Sequence, residues 1–233
     1  MVNPFERFYL PDLSFGPTDL LIYGGGGHGK VIIDLVRALN CYKVIGIIDD
    51  RLQAGSQVLG LPVLGGADIL PEMRQRGVSL AINAVGGIGN VDIRLKVFDS
   101  LTQAGYSCPT VVHPTAFIEP SASLDLGVQV LSQSYISSDA KVGFGTVINA
   151  GVVVSHDCVI GKCVNLSPGA MLAGAVRVED FAQIGMAATI NLDLTIGARA
   201  RVGNGATVKA DVPSNGIVRA GTIWPVPCDA LRQ

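Results

Sequence analysis

The sequence predicts two folds in tandem: a small α/β domain with a Rossmann-like parallel sheet, followed by a parallel β-helix of hexapeptide repeats. Three observations point to this fold class. A glycine turn of the form G-x-G-x-x-G follows an apolar run near residue 20, every sixth residue from Ile118 to Val208 is Ile, Leu or Val, and the 233 residues include 29 glycines but only 6% aromatic and 15% charged residues. The charged fraction is below the roughly 25% of an average globular protein. Because aromatic residues are also few, the core must be built mainly from aliphatic side chains.

Composition also excludes several classes of protein. The 17 basic and 19 acidic residues give a net charge of −2, which disfavours nucleic-acid binding because phosphate backbones require clustered Lys and Arg. No run of about 18 apolar residues is present, so no membrane span is expected, and Met1–Leu10 lacks the pattern of a signal peptide. The five cysteines are odd in number and unpatterned, as in a reducing compartment. We therefore expect a cytoplasmic protein.

The first predicted element is a strand over Leu20–Tyr23, followed by a glycine loop over residues 24–29, a helix over Lys30–Asn40 and a second strand over Lys43–Ile48. This order, with acidic residues about 20 positions after the glycines, matches a nucleotide-binding fingerprint. Glycines let a phosphate approach the free N–H groups at a helix start. A tight strand-to-helix turn without a ligand remains the alternative. The candidate substrate contacts are Gly25, Gly26, Gly27, His28, Asp49, Asp50 and Arg51.

A second αβ unit follows, with a helix predicted over Ala67–Arg76, a strand over Ser79–Val85 and a helix over Val91–Ala104. Another glycine loop, residues 86–90, comes directly after that strand. Ligands of open α/β sheets bind outside the carboxyl ends of the strands, so Gly86 and Asn90 join the candidate substrate contacts. Three strands are visible, whereas a full dinucleotide-binding domain needs about six. NAD-dependent redox chemistry is therefore disfavoured.

From Ala116 onward the chain divides into sixteen hexads, whose third position is always Ile, Leu or Val. The first position is a small or β-branched residue in fifteen of the sixteen, the exception being Leu194. No helical or simple alternating pattern has a strict period of six. The physical interpretation is a triangular prism with three hexads per coil, in which each short strand points one aliphatic side chain inward and Gly, Asn and Asp serve the corners.

The chain has three histidines, His28, His113 and His156. Imidazole suits general acid–base catalysis because its ordinary pKa is about 6.5. His156 falls at the fifth position of its hexad, on a corner, where the adjacent Asp157 could orient and charge-stabilise the ring; the alternative is a solvated corner pair without a role. His28 could contact a sugar phosphate or cap the helix, and His113 is expected to shape the entry into the prism.

No metal site is expected, because zinc-binding prisms use three histidines and this prism contains only His156. Cys158 and Cys163 occupy hexad positions one and six. Neither has a neighbouring histidine to act as a base, so we expect both thiols to fill space rather than to act as nucleophiles.

Several segments occur together in one order: YGGGGHGKV at 23–31, IIDDR at 47–51, HPTAFI at 113–118, VVVSHDCVIG at 152–161 and SPGAMLAG at 167–174. This set resembles the bacterial hexapeptide-repeat sugar acetyltransferases, which include UDP-4-amino-sugar N-acetyltransferases and sialic-acid O-acetyltransferases. The resemblance covers roughly residues 20–215. It implies a left-handed β-helix, acetyl-CoA as co-substrate, a homotrimer with active sites between neighbouring subunits, and His156 as the general base with Asp157 beside it.

The resemblance also implies how acetyl-CoA would be held. The backbone N–H of Gly174, supplied by an adjoining subunit or coil, would stabilise the oxyanion, and the pantetheine arm would run along the prism. Family members often carry a second histidine where this chain has Asn165, and the usual C-terminal G-x-P-A-K motif is here replaced by residues 221–225. Glycines in this region could equally be plain corner residues. The candidate cofactor contacts are Asn165, Gly174, Met186, Ala187, Gly203, Asn204 and Gly205.

Taken together, we expect an N-terminal extension over residues 1–19, a nucleotide-sugar-binding domain over 20–110, a β-helical acetyltransferase domain over 111–215 and a C-terminal tail over 216–233. The expected activity is direct acetyl transfer, without an acyl-enzyme, from acetyl-CoA to the amino group of a nucleotide-linked amino sugar of the 4-amino-4,6-dideoxy type. The alternatives are O-acetylation of sialic acid or another sugar hydroxyl, and a non-catalytic trimeric scaffold that binds nucleotide sugar.

Overall fold

The computed structural model describes residues 15–89 and 91–225. These residues form two compact units. The first comprises the described residues up to Gly86 together with Asp92–Pro109, and the second comprises the short segment Gly87–Val91 with the chain from Thr110 onward. Most of the expected N-terminal extension, and Asn90, lie outside the described residues.

The first unit is built on a five-stranded sheet of order β3-β4-β2-β1-β5. Its strands are β1 Asp19–Tyr23, β2 Lys43–Ile48, β3 Gln57–Val58, β4 Leu61–Gly65 and β5 Leu80–Asn83. All pairings are parallel except the β3–β4 hairpin. Every residue of β1 is buried, as expected for an interior strand of a sheet covered on both faces. Sequence reasoning missed β3 and β4, because two residues show no periodicity and Pro62 interrupts the pattern of β4.

Three helices flank this sheet: α1 Gly27–Leu39, α2 Leu70–Gln75 and α3 Val91–Gln103. α1 begins earlier than predicted, and its C-cap is Asn40, which donates its N–H to the Val36 carbonyl and ends the helix with a left-handed backbone. The predicted helix over Ala67–Arg76 is a 3₁₀ turn over Ala67–Ile69 followed by the short α2. Pro71 lies in the first turn of α2, where its missing N–H costs no helical hydrogen bond.

The second unit is a parallel β-helix. Its strands have two residues each and form three parallel sheets, here called sheet I (β7, β10, β13, β16, β19, β22, β24), sheet II (β8, β11, β14, β17, β20) and sheet III (β6, β9, β12, β15, β18, β21, β23). The strands are β6 Val111–Val112, β7 Phe117–Ile118, β8 Ser123–Leu124, β9 Gln129–Val130, β10 Tyr135–Ile136, β11 Lys141–Val142, β12 Val147–Ile148, β13 Val153–Val154, β14 Val159–Ile160, β15 Asn165–Leu166, β16 Met171–Leu172, β17 Arg177–Val178, β18 Gln183–Ile184, β19 Thr189–Ile190, β20 Thr195–Ile196, β21 Arg201–Val202, β22 Thr207–Val208, β23 Ile217–Val218 and β24 Ile223–Trp224.

Each predicted hexad contains one strand, and its third residue is the inward one. Ile148, Leu166 and Ile184, for example, are fully buried and lie above one another on successive strands of sheet III. Stacked coils thereby exchange backbone hydrogen bonds while a column of aliphatic side chains fills the prism. The predicted register of all sixteen hexads is confirmed.

The prism continues past residue 215, into the segment expected to be a tail. β23 pairs with β21, and β24 pairs with β22. The inward residue Val212, which bridges to Ile196, follows Val208 after four positions instead of six. This shortened corner breaks the period, which is why the hexad pattern did not extend further.

The corners show where glycine is required. At hexad position six the backbone is left-handed in fourteen of the sixteen hexads, yet nine of these residues are not glycine. At position four the glycines have a different reason, since a Cβ there would lie within 2.8 Å of the backbone of the next coil. This holds for Gly143, Gly161, Gly185, Gly197 and Gly203.

No helix within residues 15–89 and 91–225 combines the length and apolar character that a membrane-spanning helix needs.

Candidate active site

His156 and Asp157 form a hydrogen-bonded pair on the corner between β13 and β14, where sheet I meets sheet II. Nδ1 of His156 lies 2.7 Å from Oδ2 of Asp157. A carboxylate can only accept, so Nδ1–H is the donor, and in the neutral imidazole Nε2 then carries the lone pair. The two side chains are 60% and 61% exposed. The pair can therefore accept a proton at Nε2 from a molecule outside the prism while Asp157 stabilises the resulting cation.

Gly174 occupies the same corner one coil further along. A Cβ at this position would lie 2.5 Å from Cε1 and 2.6 Å from Nε2 of His156. The absence of a side chain thus provides the space in which the imidazole sits. Among the described residues, no protein acceptor contacts the Gly174 N–H. The structure thus places the His156 imidazole, a group able to act as a base, against a glycine whose N–H could serve as a hydrogen-bond donor.

Cys158, two residues after His156, is fully buried, and its thiol donates to the Ala173 carbonyl at 3.2 Å. Burial raises the pKa of this thiol. A buried, protonated thiol is a poor nucleophile, and Cys163 is also buried. Cys158 fills space in the core of the prism, as predicted, and Cys163 is buried at a corner.

Asn165 lies elsewhere. It is on β15 in sheet III, the face opposite the corner that carries His156, and only 3% of it is exposed. Its Nδ2 donates to Ser167 Oγ at 3.1 Å. Within one chain, the structure does not bring Asn165 to His156.

The other candidate cofactor contacts lie neither on the His156 corner nor on sheet III. They lie on the corners where sheet III meets sheet I. Asn204 Oδ1 accepts the Met186 N–H at 2.9 Å, so its amide ties two coils together. Gly203 is a position-four glycine packed against the next coil, and Gly205 has a left-handed backbone facing open space. Ala187 also has a left-handed backbone. Each residue thus has a structural reason in coil stacking, and Met186 leaves an exposed apolar side chain on this corner.

In the first unit, the glycines of the fingerprint have separate roles. Gly24 has a φ of +113° and would place a Cβ 3.0 Å from the Ala84 carbonyl, while a Cβ on Gly29 would run into the Gly24 backbone. Gly26 caps α1 without a side-chain hydrogen bond, and both Gly26 and Gly27 face open space. The helix start is therefore open to an anion. The sequence analysis named Gly25, Gly26 and Gly27 as candidates and missed the structural need for glycine at positions 24 and 29. These two are the first and last glycines of the G-x-G-x-x-G motif, which could have identified them.

Asp49 and Asp50 brace the surrounding loops. Asp49 accepts the Gly25 N–H at 2.8 Å, and its other oxygen accepts the N–H groups of Arg51 and Leu52. Asp50 accepts the Tyr23 hydroxyl at 2.7 Å and the Ala67 N–H at 2.9 Å.

Tyr23 was not singled out from the sequence. Burial, reinforced by the hydrogen bond to Asp50, raises the pKa of its phenol. The Arg51 side chain is exposed.

The second glycine loop begins beside the first. A Cβ on Gly86 would lie 3.7 Å from Cβ of His28. Two buried residues that sequence reasoning missed anchor this point: Asn83 Nδ2 donates to the Arg94 carbonyl, and the Arg94 guanidinium donates to the Val85 carbonyl. The carboxyl ends of β1 and β5 thus carry adjacent glycine turns, as expected for a ligand crevice. Asn90 falls outside the described residues.

His113 lies at the start of the prism, where its Nδ1 accepts the Thr115 N–H at 3.1 Å. Among the described residues, no group of three His, Cys, Asp or Glu side chains is arranged to hold a metal ion.

Comparison with known proteins identifies the family. Residues 19–101 match the family described as the PglD N-terminal domain. A GDP-perosamine N-acetyltransferase of Escherichia coli O157:H7 is 32% identical over 190 residues, which cover 76% of this chain and 82% of that protein. The chain belongs to the hexapeptide-repeat sugar acetyltransferase family.

Solved structures of hexapeptide-repeat sugar acetyltransferases agree with the fold. PerB from Caulobacter crescentus, in complex with CoA and GDP-perosamine, has a TM-score of 0.81 and 36% identity, and the match covers 89% of this chain and 96% of PerB. The acetyltransferase domain of PglB from Neisseria gonorrhoeae FA1090, in complex with acetyl coenzyme A, has a TM-score of 0.80 and 29% identity, covering 89% of this chain and 98% of that domain. The predicted fold, a Rossmann-like domain followed by a left-handed β-helix, and the predicted class of acetyl-CoA-dependent sugar N-acetyltransferase are confirmed.

Proposed function

We propose that this protein transfers the acetyl group of acetyl-CoA to the amino group of a nucleotide-linked amino sugar, with His156 as the general base. The observation that carries the proposal is the His156 imidazole, whose Nδ1 donates to Asp157 and whose ring lies against Gly174, with Nε2 available to a substrate. A GDP-linked 4-amino-4,6-dideoxy sugar such as GDP-perosamine is the first candidate acceptor, because relatives act on it or bind it. A cytoplasmic location remains a prediction.

The reaction follows from the residues on the corner. The neutral amine attacks the thioester carbonyl carbon, and Nε2 of His156 accepts the amine proton as the C–N bond forms. Asp157 stabilises the imidazolium, while the Gly174 N–H donates to the developing oxyanion. Collapse of the tetrahedral adduct breaks the C–S bond, and the departing thiolate takes the proton from the imidazolium. The products are the acetamido sugar and CoA, with no acyl-enzyme.

The nucleotide would be bound by the first unit. Gly26 and Gly27 leave the start of α1 open, and the partial positive charge of a helix start favours a diphosphate. With a net charge of −2 and no basic cluster in the sequence, backbone N–H groups are the main source of anion binding. Asp49 supports this loop by accepting the Gly25 N–H, and Asp50 accepts the hydroxyl of Tyr23, the residue directly before the loop.

We further propose a homotrimer that assembles through sheet I. The outward residues of sheet I carry no charge, whereas those of sheet II include Lys141 and Arg177. Closed cyclic symmetry would bury this face without leaving an open end. The outward residues of sheet I are Phe117, Tyr135, Val153, Met171, Thr189, Thr207 and Ile223.

Both the His156 corner and the Met186 corner border sheet I. A trimer formed through this face would therefore bring the His156 corner of one subunit towards the Met186 corner of a neighbour. The neighbour would then supply Met186, Ala187, Gly203, Asn204 and Gly205 to the acetyl-CoA site, as the family resemblance implies.

A panel of acceptors tests the activity. The protein is incubated with acetyl-CoA and GDP-, UDP- or dTDP-linked 4-amino sugars, with sialic acid as the hydroxyl acceptor, and products are identified by mass spectrometry. Acetylation of an amine on one of the nucleotide sugars is expected. Acetylation of sialic acid alone would favour the O-acetyltransferase alternative, and no acetylation of any acceptor would favour a binding scaffold.

His156→Ala tests the proposed base. We expect kcat to fall about 10²- to 10⁴-fold, the usual contribution of general acid–base catalysis, with CoA binding and the oligomeric state unchanged. Ser138→Ala, at the same corner position one coil earlier, serves as the matched control and should retain wild-type turnover. Unchanged kcat in His156→Ala, or a burst of free CoA before acceptor is added, would contradict the mechanism.

A further inference from the structure

The part of the second glycine loop that belongs to the second unit, Gly87–Gly89, lies against sheet III. A Cβ on Gly87 would lie 2.8 Å from Cγ and 2.9 Å from Cβ of Asn165, and still closer to its Oδ1. Two residues later, the Gly89 N–H points to Oε1 of Gln183 at 3.4 Å. Asn165 and Gln183 are register partners on the neighbouring strands β15 and β18. The loop backbone therefore rests on two adjacent outward side chains of the prism.

Asn165 is a rigid support for this loop. Its amide donates to Ser167 Oγ at 3.1 Å, and both residues are at least 97% buried. A buried side chain with its amide already paired has little rotamer freedom left. Because the side chain of Asn165 is occupied in this way on sheet III, it is not directed to the corner on which His156 sits.

Residues 87–89 provide few side-chain contacts that could fix the conformation of the loop. Gly87 and Gly89 have no side chains, Gly89 has a φ of +68°, and Ile88 is 62% exposed. Glycine loses more conformational entropy on ordering than any other residue, so the contacts with the buried Asn165 and with Gln183 stabilise the loop's conformation. The same loop continues from Gly86, which lies beside His28.

We propose that Asn165, with Gln183, is a positioning residue for the nucleotide-sugar acceptor. It holds the loop that leads from Gly86, and so acts on acceptor binding instead of touching the thioester. This inference rests on the proposed function, and it assigns Asn165 a role that differs from the acetyl-CoA contact implied by the family resemblance.

The two roles predict different kinetics. Removing a loop support weakens binding of the acceptor in ground and transition state alike, which raises its KM while kcat stays constant. For Asn165→Ala we expect the KM for the nucleotide sugar to rise about tenfold, with kcat and the KM for acetyl-CoA within about twofold of wild type. A rise in the KM for acetyl-CoA, or a fall in kcat at saturation, would overturn the proposal. Arg201→Ala, the exposed next register partner of Gln183, is the control, and thermal melting verifies folding of each variant.

A double-mutant cycle tests the contact itself. In Gly87→Ala the new methyl group meets Asn165 and displaces the loop, so the KM for the nucleotide sugar should again rise. In the Asn165→Ala background, Oδ1 and Cγ are gone, and the added effect of Gly87→Ala should be smaller, because contacting residues are not additive. Fully additive effects on that KM would contradict the inference.

Binding measurements separate this inference from the proposed activity. Calorimetry with GDP and with UDP needs no acetyl transfer. If wild type binds a nucleotide but acetylates no acceptor, the proposed function fails while the loop inference is still tested: weaker binding by Asn165→Ala supports it, and equal binding overturns it. If wild type binds neither of these nucleotides and does not bind dTDP either, both are overturned.

Discussion

The imidazole of His156 is placed by two neighbours of different kinds. Asp157 is adjacent in sequence and holds Nδ1 at 2.7 Å, so the pair is visible in the sequence as soon as the corner register is known. Gly174 is eighteen positions away, one full coil, and contributes the space occupied by the ring. Hexad spacing puts the two residues on one corner, but the direction in which the ring turns is a property of the folded prism.

Gly174→Ala tests this contact. The added methyl group would displace the imidazole, and a misplacement of about 1 Å can cost about 10²-fold in rate. We expect kcat to fall by about that factor, with the melting temperature close to wild type because the exposed ring can move aside. Gly151→Ala, a corner glycine facing open space, is the control for kcat. Turnover at the wild-type level in Gly174→Ala would show that the ring position does not matter.

The described cysteines differ in burial, and we expect them to differ in reactivity. Burial raises the pKa of the Cys108 thiol to about 11 and also raises that of Cys158, whereas Cys41 is exposed. A raised pKa lowers the thiolate fraction at pH 8, and the thiolate is the species that reacts. Iodoacetamide should therefore label Cys41 well before Cys108 and Cys158, as read by peptide mass spectrometry. Equal labelling rates would contradict the burial of these two thiols.

At the scale of the β-helical coil, glycine has two separate functions. Position six needs a left-handed backbone, which Asp157, Phe181 and Arg199 also adopt, at a cost of about 1–2 kcal/mol for a residue with a Cβ. Position four needs the absence of a Cβ, because the next coil passes too close. The composition predicted glycine at the corners, but only the stacked coils distinguish the strict position from the tolerant one.

Comparing one glycine of each kind tests this distinction. In Gly185→Ala the methyl group would meet the backbone of Gly203 and Asn204, at 2.6 Å. Because backbone atoms of a stacked coil cannot move aside as a side chain can, we expect a cost in the upper part of the usual range for overpacking, about 1–3 kcal/mol. Gly151→Ala adds only the cost of a left-handed Cβ, about 1–2 kcal/mol. Thermal or urea unfolding should show the larger destabilisation for Gly185→Ala. A larger loss in Gly151→Ala would reverse the assignment of the two positions.

At the scale of the whole molecule, the three sheets of the prism differ in polarity, and this difference supports the proposed trimer. Phe117 and Tyr135 stack at 6.2 Å on sheet I, and Met171 is half exposed on the same face. On sheet III the outward residues Gln129, Val147 and Asn165 are buried. Of the three faces, sheet I is thus the uncharged one with exposed large apolar side chains, a property typical of protein–protein interfaces.

Met171→Glu tests the proposed trimer. A carboxylate in the centre of an apolar interface would be repeated in every subunit and left without a partner, which is costly. Sedimentation velocity should show a shift from trimer to monomer, with loss of acetyl transfer. Ser123→Glu, on the outward side of sheet II, should remain trimeric. A trimeric Met171→Glu variant would place the interface elsewhere.

The sequence alone determined the period of six, the inward residue of each hexad from Ile118 to Val208, and the corner position of His156 and Asp157. These are local properties, because strand length and corner spacing repeat along the chain. The same reasoning stopped at the shortened corner between Val208 and Val212 and missed the brief β3–β4 hairpin, since neither follows a period.

Only the tertiary structure determined which contacts the candidate site residues make. Asp49 was named as a ligand contact and in the fold supports Gly25, twenty-four residues away, while Asn165 lies under Gly87 on a different face from His156. Such roles depend on which distant backbone comes within van der Waals or hydrogen-bond distance. Residue type and spacing specify what a side chain can do, and the packing of remote segments determines which partner it meets.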